Sequence, residues 1–145
     1  MIVIADTSGI IAATDRNAPE SALCRKVLDT ASLVVVSAPV LTEVDHLARK
    51  RFGYHARNTL MDYLFTQVER IRFAIPETRI EVLRAARMVE RRYADLQLDF
   101  ADALNVCLAA EYQTDAILTL DRRDFRAMRP LDEHVHFRLL PDDMH

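Results

Sequence analysis

Four carboxylates stand where an α/β protein could gather them: Asp6, Glu43, Asp102 and Asp121. Asp6 follows the apolar run of residues 2–5, and Asp121 follows a second such run, residues 116–120. In open α/β sheets, ligands bind outside the carboxyl ends of the strands. Either acid alone has an ordinary explanation, because Asp caps helices and makes turns. Asp102 is harder to explain away. Its segment reads Phe-Ala-Asp-Ala-Leu-Asn-Val-Cys-Leu-Ala-Ala-Glu-Tyr, apolar nearly all round, as in a helix packed on several sides. A carboxylate there is costly unless it is paired or holds a cation; the competing reading places it in the first turn, facing free N–H groups and solvent. Asn105, three residues on, shares its helical face and could orient a ligand or a water. Asp99 is adequately explained as the N-cap of the same helix. Glu43 sits inside a helix among Val40, Leu41, Val44 and Leu47 and is ordinary on its own, as are Asp45 and Asp62.

If the four acids converge, their mutual repulsion needs a cation to offset it. No Lys neighbours them, and no Cys/His spacing invites zinc. An all-oxygen site suits Mg²⁺ or Mn²⁺, ions that activate water and stabilise charge on a phosphoryl group. The acid set therefore points to phosphodiester chemistry. Other catalytic systems find little support. Ser8 lacks a G-x-S-x-G elbow, and His46, His55, His134, His136 and His145 form no triad or metal spacing. With Gly9 and Gly53 the only glycines, there is no loop to cradle a nucleotide.

The elements that must position these acids follow from the apolar pattern. Strands are expected at residues 2–5, 33–36, 71–75, 116–120 and 135–140, most of them near-continuous apolar runs. Between them lie helices. The first is capped by Asp6-Thr7-Ser8; a second opens at Pro19-Glu20 with Leu23, Val27 and Leu28 on one face. A third starts at Ser37-Ala38-Pro39, turns Val40, Leu41, Val44 and Leu47 inward and ends near Gly53. A fourth spans 54–67. A long helix after Pro76 buries Ile80, Leu83, Ala86, Met88 and Val89, and another runs from 100 to about 112. Long crossovers between buried strands predict a mostly parallel central sheet flanked by helices, in one domain spanning 1–145.

Bulk properties agree. Half the chain is apolar, 28% is charged and only two residues are Gly, the composition of a helix-rich globular domain. No apolar run reaches a membrane span, and the N-terminus lacks a basic leader, so a cytoplasmic protein is expected. Cys24 and Cys107 read as buried thiols. A net charge of −3 argues against a broad DNA-binding surface. The clusters Arg49-Lys50-Arg51, Arg84/Arg87/Arg91/Arg92 and Arg122-Arg123-Arg126-Arg129 are each best read as solvated helix faces.

The motifs together resemble those of the PIN-domain ribonucleases, and among them the VapC toxins of bacterial toxin–antitoxin pairs. Val3-Ile4-Ala5-Asp6-Thr7-Ser8 is similar to the family's opening strand and first acid. Ser37-Ala38-Pro39-Val40-Leu41-Thr42-Glu43-Val44 places Glu43 at the second acid, and Ala101-Asp102-Ala103-Leu104-Asn105-Val106 places Asp102 at the third. Ile117-Leu118-Thr119-Leu120-Asp121-Arg122-Arg123-Asp124-Phe125 resembles the late strand and turn, with Asp121 as the fourth. The resemblance implies a PIN-like fold and Mg²⁺- or Mn²⁺-dependent cleavage of RNA. It also implies a homodimer and a cognate VapB-like antitoxin whose tail blocks the acidic groove. Under it Asp6 and Asp102, rather than Asp99, are the main metal ligands. Glu43 completes the site directly or through water, and Asp121 holds a second ion or positions the nucleophile. Thr7, Thr119 and Asn105 support the ligands from behind, and Arg122 or Arg123 contacts phosphate. The alternatives are a phosphoacceptor signalling module, which normally pairs acids after its first strand and carries a Lys after its last, or a non-catalytic RNA-binding α/β protein.

Overall fold

Alternation within the short apolar strands decides how the layers are built. The computed structural model describes residues 1–144; His145, of the five histidines, lies outside the described residues. Five parallel strands form one sheet: β1 (Ile2–Ala5), β2 (Leu33–Val35), β3 (Phe73–Ala74), β4 (Ala116–Leu118) and β5 (Arg138–Leu140), in the order β3-β2-β1-β4-β5. Val3, Ala5, Val34, Phe73, Ala116 and Leu118 point to one face and join one core. Ile4, Val35, Ile117 and Leu139 point to the other and join a second core. With both faces buried, the central strands must be apolar at every position.

The first face is covered by α1 (Thr7–Thr14), α2 (Ser21–Thr30), α3 (Ala38–Phe52) and α4 (Tyr54–Glu69). The second is covered by α5 (Ile80–Arg92), α6 (Phe100–Glu111) and the short α7 (Arg122–Ala127). Local chemistry sets the ends of α3. The Ser37 hydroxyl accepts the Val40 N–H at 3.2 Å, and Pro39 occupies the first turn. Arg49, Lys50 and Arg51 lie in the last turn, where cations suit the negative end of the helix dipole. Gly53 closes it at φ 94°, a conformation that favours glycine, and α4 begins at once.

The element order agrees with the sequence reading, and several details differ. β3 is two residues rather than five, because Ile71 adopts a left-handed φ of 60° to turn the chain out of α4 and stands 82% exposed. β5 begins at Arg138, leaving Val135 exposed in the preceding loop. In α2 the buried face is Ser21, Cys24, Val27 and Leu28, with Leu23 outside. In α3 Val40, Val44 and Ala48 are fully buried, while Leu41 and Leu47 are half-buried. In α5 the phase is set by Val82, Ala86 and Val89; Ile80 and Met88 are exposed and Leu83 is half-buried.

One contact fixes α1 against the sheet. A Cβ on Gly9 would lie 2.5 Å from Leu118 Cγ and 2.8 Å from the Leu118 carbonyl oxygen. The helix can lie this close to β4 only because residue 9 has no side chain. Gly9→Ala is expected to lower stability by about 2–3 kcal/mol through overpacking, measured by urea unfolding. An unchanged midpoint would show that α1 sits more loosely on the sheet than this contact requires.

Candidate active site

The chain leaves β1 toward β2 on one side of the sheet, whereas β4 pairs with β1 on the other. The strand order therefore reverses between β1 and β4, and a crevice opens beyond their carboxyl ends. Both strands end in polar residues, and these are stitched together. The Asp6 N–H donates to the Leu118 carbonyl at 2.9 Å. Of its carboxylate, Oδ1 accepts the Thr7 N–H at 2.8 Å, and Oδ2 accepts the Thr119 hydroxyl at 2.8 Å and the Ser8 hydroxyl at 3.3 Å. Thr119 Oγ1 in turn accepts the Asp121 N–H, and Ser8 Oγ accepts the Leu120 N–H, each at 2.9 Å. Thr7 Oγ1 donates to Glu43 Oε2 at 3.3 Å. The hydroxyls of Ser8 and Thr119 thus hold Asp6 in one orientation and tie β1 to the turn after β4, while that of Thr7 reaches across to α3.

A cleft of about 350 Å³ opens over this arrangement, and Asp6, Glu43, Asp99, Asp102 and Asp121 all line it. The structure brings together the four acids singled out from the sequence. Asp102 comes from the first turn of α6 and is 8% exposed. Burial, and then the charges of Asp6, Asp121, Asp99 and Glu43, push its carboxyl up to about 8. Burial likewise raises Asp6 against the opposing hydrogen bonds of Thr119 and Thr7, raises Glu43 with help from Asp6 and Asp99, and raises Asp121 with help from Asp124. Each of these four acids is held above its usual range, first by burial and then by the neighbouring carboxylates.

The donor set fits a hard divalent cation. One carboxylate oxygen from each of Asp102, Asp121 and Asp124 lies within 4.8 Å of the other two. All donors are oxygens, which suits magnesium, calcium or manganese rather than zinc or copper. The thiols are elsewhere: Cys24 and Cys107 are buried and free, each pushed up to about 11 by burial.

Three sequence expectations need correcting. Asn105 does not reach the cleft; it is wholly buried, and neither its Oδ1 nor its Nδ2 has a hydrogen-bond partner among the described residues. Three residues of helix turn the side chain by about 60°, enough to move it from the cleft edge into the core. Arg122 is occupied by ion pairs with Asp142 and Glu20, and neither it nor the exposed Arg123 lines the cleft. Asp99 is the N-cap residue of α6 as expected, but its side chain makes no capping hydrogen bond and lines the cleft.

Other residues of the site escape sequence reasoning. Ser8 reads only as part of a helix cap, although its two-residue offset from Asp6 is visible. Asp124 is visible as an acid one turn beyond Asp121. Arg51 lines the cleft two turns after Glu43, on a stripe that Glu43, Leu47 and Arg51 trace at i, i+4 and i+8.

The chain has recognisable relatives. Residues 3–130 match the PIN domain family. The chain is 37% identical over 130 residues to the ribonuclease VapC26 of Mycobacterium tuberculosis, covering 89% of this chain and 93% of that relative. Among solved structures, VapC20 of M. tuberculosis, described as a sarcin–ricin-loop-cleaving toxin, superposes with a TM-score of 0.70 at 16% identity. That match covers 82% of this chain and 89% of the other. VapBC2 from Rickettsia felis, bound to a DNA fragment of its promoter, gives 0.66 at 13% identity, covering 90% and 96%. At such identities the two structures speak to the fold alone.

Two outcomes are expected from this electrostatics. In metal-free protein the native state binds the Asp102 proton more tightly than the unfolded chain, whose Asp titrates near 4. Stability is therefore greatest below about pH 4 as far as this group is concerned, and is lost as pH rises toward about 8, by at most about 1.4 kcal/mol per unit. Urea unfolding in EDTA should show this slope, and Asp102→Asn should flatten it; a flat wild-type profile would contradict the crowding. Thr119→Val, which strips Asp6 Oδ2 and the Asp121 N–H of a partner, should cost about 1–3 kcal/mol in the same assay.

Proposed function

This chain belongs to the PIN-domain family, with a VapC ribonuclease among its relatives, and from that premise we propose that it is the toxin of a toxin–antitoxin pair, a metal-dependent endoribonuclease that hydrolyses RNA phosphodiester bonds. The observation that carries this reading is the convergence of Asp6, Glu43, Asp102 and Asp121 in one cleft, each held above its usual pKa range. Mg²⁺ or Mn²⁺ is the cofactor this donor set suits. Bound there, such an ion would polarise a phosphoryl oxygen and lower the pKa of an attacking water.

The chain's own residues have distinct tasks. Asp6 and Asp102 would hold the cation, beside Asp121 and Asp124, whose carboxylate oxygens lie within 4.8 Å of that of Asp102. Thr119, Ser8 and the Thr7 N–H keep the Asp6 carboxylate from rotating and leave one lone-pair site, on Oδ1, for a cation. Glu43, exposed on α3 and hydrogen-bonded by Thr7, would take the proton that the attacking water loses. The leaving oxygen takes its proton from solvent, because the cleft is open.

RNA is the substrate and a VapB-like antitoxin the partner, in keeping with the VapBC2 pair that shares the fold. We place the protein in the cytoplasm as a homodimer. No helix among the described residues is long and apolar enough to cross a membrane.

Purified Asp6→Asn and Asp102→Asn proteins should lose cleavage of total cellular RNA by at least about 100-fold while keeping the wild-type circular dichroism spectrum. EDTA should abolish wild-type cleavage, and Mn²⁺ or Mg²⁺ should restore it. Undiminished cleavage by Asp6→Asn would sink the mechanism. RNA binding without cleavage under any metal condition would favour the non-catalytic reading.

A further inference from the structure

An acidic cleft that takes RNA must solve a problem its carboxylates create, since they repel the phosphates on either side of the one being cut. The cleft is lined by Asp6, Asp15, Glu43, Asp99, Asp102 and Asp121, and by a single cationic side chain, Arg51. No hydrogen bond or ion pair engages Arg51 among the described residues, and its side chain is exposed. This distinguishes it from Arg122, Arg57 and Arg126, which pair with Asp142, Asp45 and Asp143.

Its position along α3 gives the contact a length scale. Eight residues of helix place the Arg51 backbone about 12 Å beyond that of Glu43. Between them Leu47 of α3, half-buried, lines the cleft, while Ile11 and Ala12 of α1 beside it are buried in the core. The groove thus runs from the carboxylates past Leu47 to Arg51, with Asp15, at the end of α1, also on its wall. A guanidinium presents a planar fork that matches phosphate oxygens.

We propose that Arg51 is the substrate-positioning residue of this cleft. It grips a backbone phosphate of a single strand next to the scissile one. This rests on the nuclease reading, and it gives the strand a direction: one flank of the cut lies along the α1/α3 groove.

The test uses the full chain carrying Asp6→Asn, to prevent cleavage, with a fluorescein-labelled, randomised short single-stranded RNA in Mn²⁺. Binding is read by anisotropy over a range of salt. Adding Arg51→Ala should weaken binding about tenfold and reduce the salt slope by about 0.7, the loss of one phosphate contact to a single strand. Arg51→Lys should keep the slope while recovering only part of the affinity. Arg84→Ala, on the exposed face of α5, should change neither. In the cleavage-competent chain Arg51→Ala should raise KM for total RNA and leave kcat near wild type. An unchanged slope in Arg51→Ala overturns the proposal. So does a slope that stays while Mn²⁺ affinity, read by thermal shift, changes, for Arg51 would then only balance the acids. If the Asp6→Asn parent binds no RNA while wild-type chain still cleaves it, the assay is repeated with wild-type chain and Ca²⁺ in place of Mn²⁺, and the same slope criterion decides. No binding and no cleavage by wild type would instead remove the nuclease reading itself.

Discussion

Repulsion among carboxylates at the outlet of β1 and β4 is the force that the surrounding architecture must contain. Asp6 and Asp121 arrive there because two parallel strands end side by side, and Asp102 arrives on the first turn of α6. Three means of containment are visible. Hydroxyls of Thr7, Ser8 and Thr119 donate to the acids or bridge the strand ends. The N-terminal ends of α1 and α6, positive by their dipoles, face the same crevice. Gly9 lets α1 lie against β4 closely enough for the hydroxyl bridge to span. None of these offsets burial and the neighbouring charges together, and the acids keep their raised proton affinities.

That division of labour explains what the fold and the site owe to different residues. Two apolar cores, one on each face of the sheet, fix where the strand ends fall. Solved structures of low sequence identity share this fold, yet chemistry belongs to the few polar groups beyond the strands. Because the sheet is closed on both faces by helices, its carboxyl edge is the place where polar side chains can converge without disturbing either core.

Much of this is legible in the amino-acid sequence alone, and the failures have physical reasons. Buried strands announce themselves by unbroken apolar runs, so β1, β2 and β4 can be placed, with the acids that follow β1 and β4. Asp102 stands out because a charge on an all-apolar helix needs a reason. The phase of α5 does not, since residues 80, 82, 83, 85, 86, 88 and 89 are all apolar and several helical faces compete; packing against α6 selects the face of Val82, Ala86 and Val89. Asn105 misleads because sharing a helical face with Asp102 still leaves about 60° of rotation, and the cleft edge is narrower than that. Ser8 and Arg51 escape notice for opposite reasons. Ser8 looks fully explained by a local cap, while Arg51 acts at a distance from the motifs and is recognised only when α1 and α3 lie side by side.

The proton affinity of Asp102 reaches beyond folding. With its carboxyl pushed up to about 8 by burial and the neighbouring acids, Asp102 binds a proton more tightly than an exposed aspartate does. Loading a divalent cation under the proposed function is then an exchange, in which the ion enters as a proton leaves for solvent. Under that reading, apparent metal affinity would climb with alkalinity. The same crowding that prepares the cleft for a cation thus makes its occupancy a function of two concentrations, those of metal and of hydrogen ions.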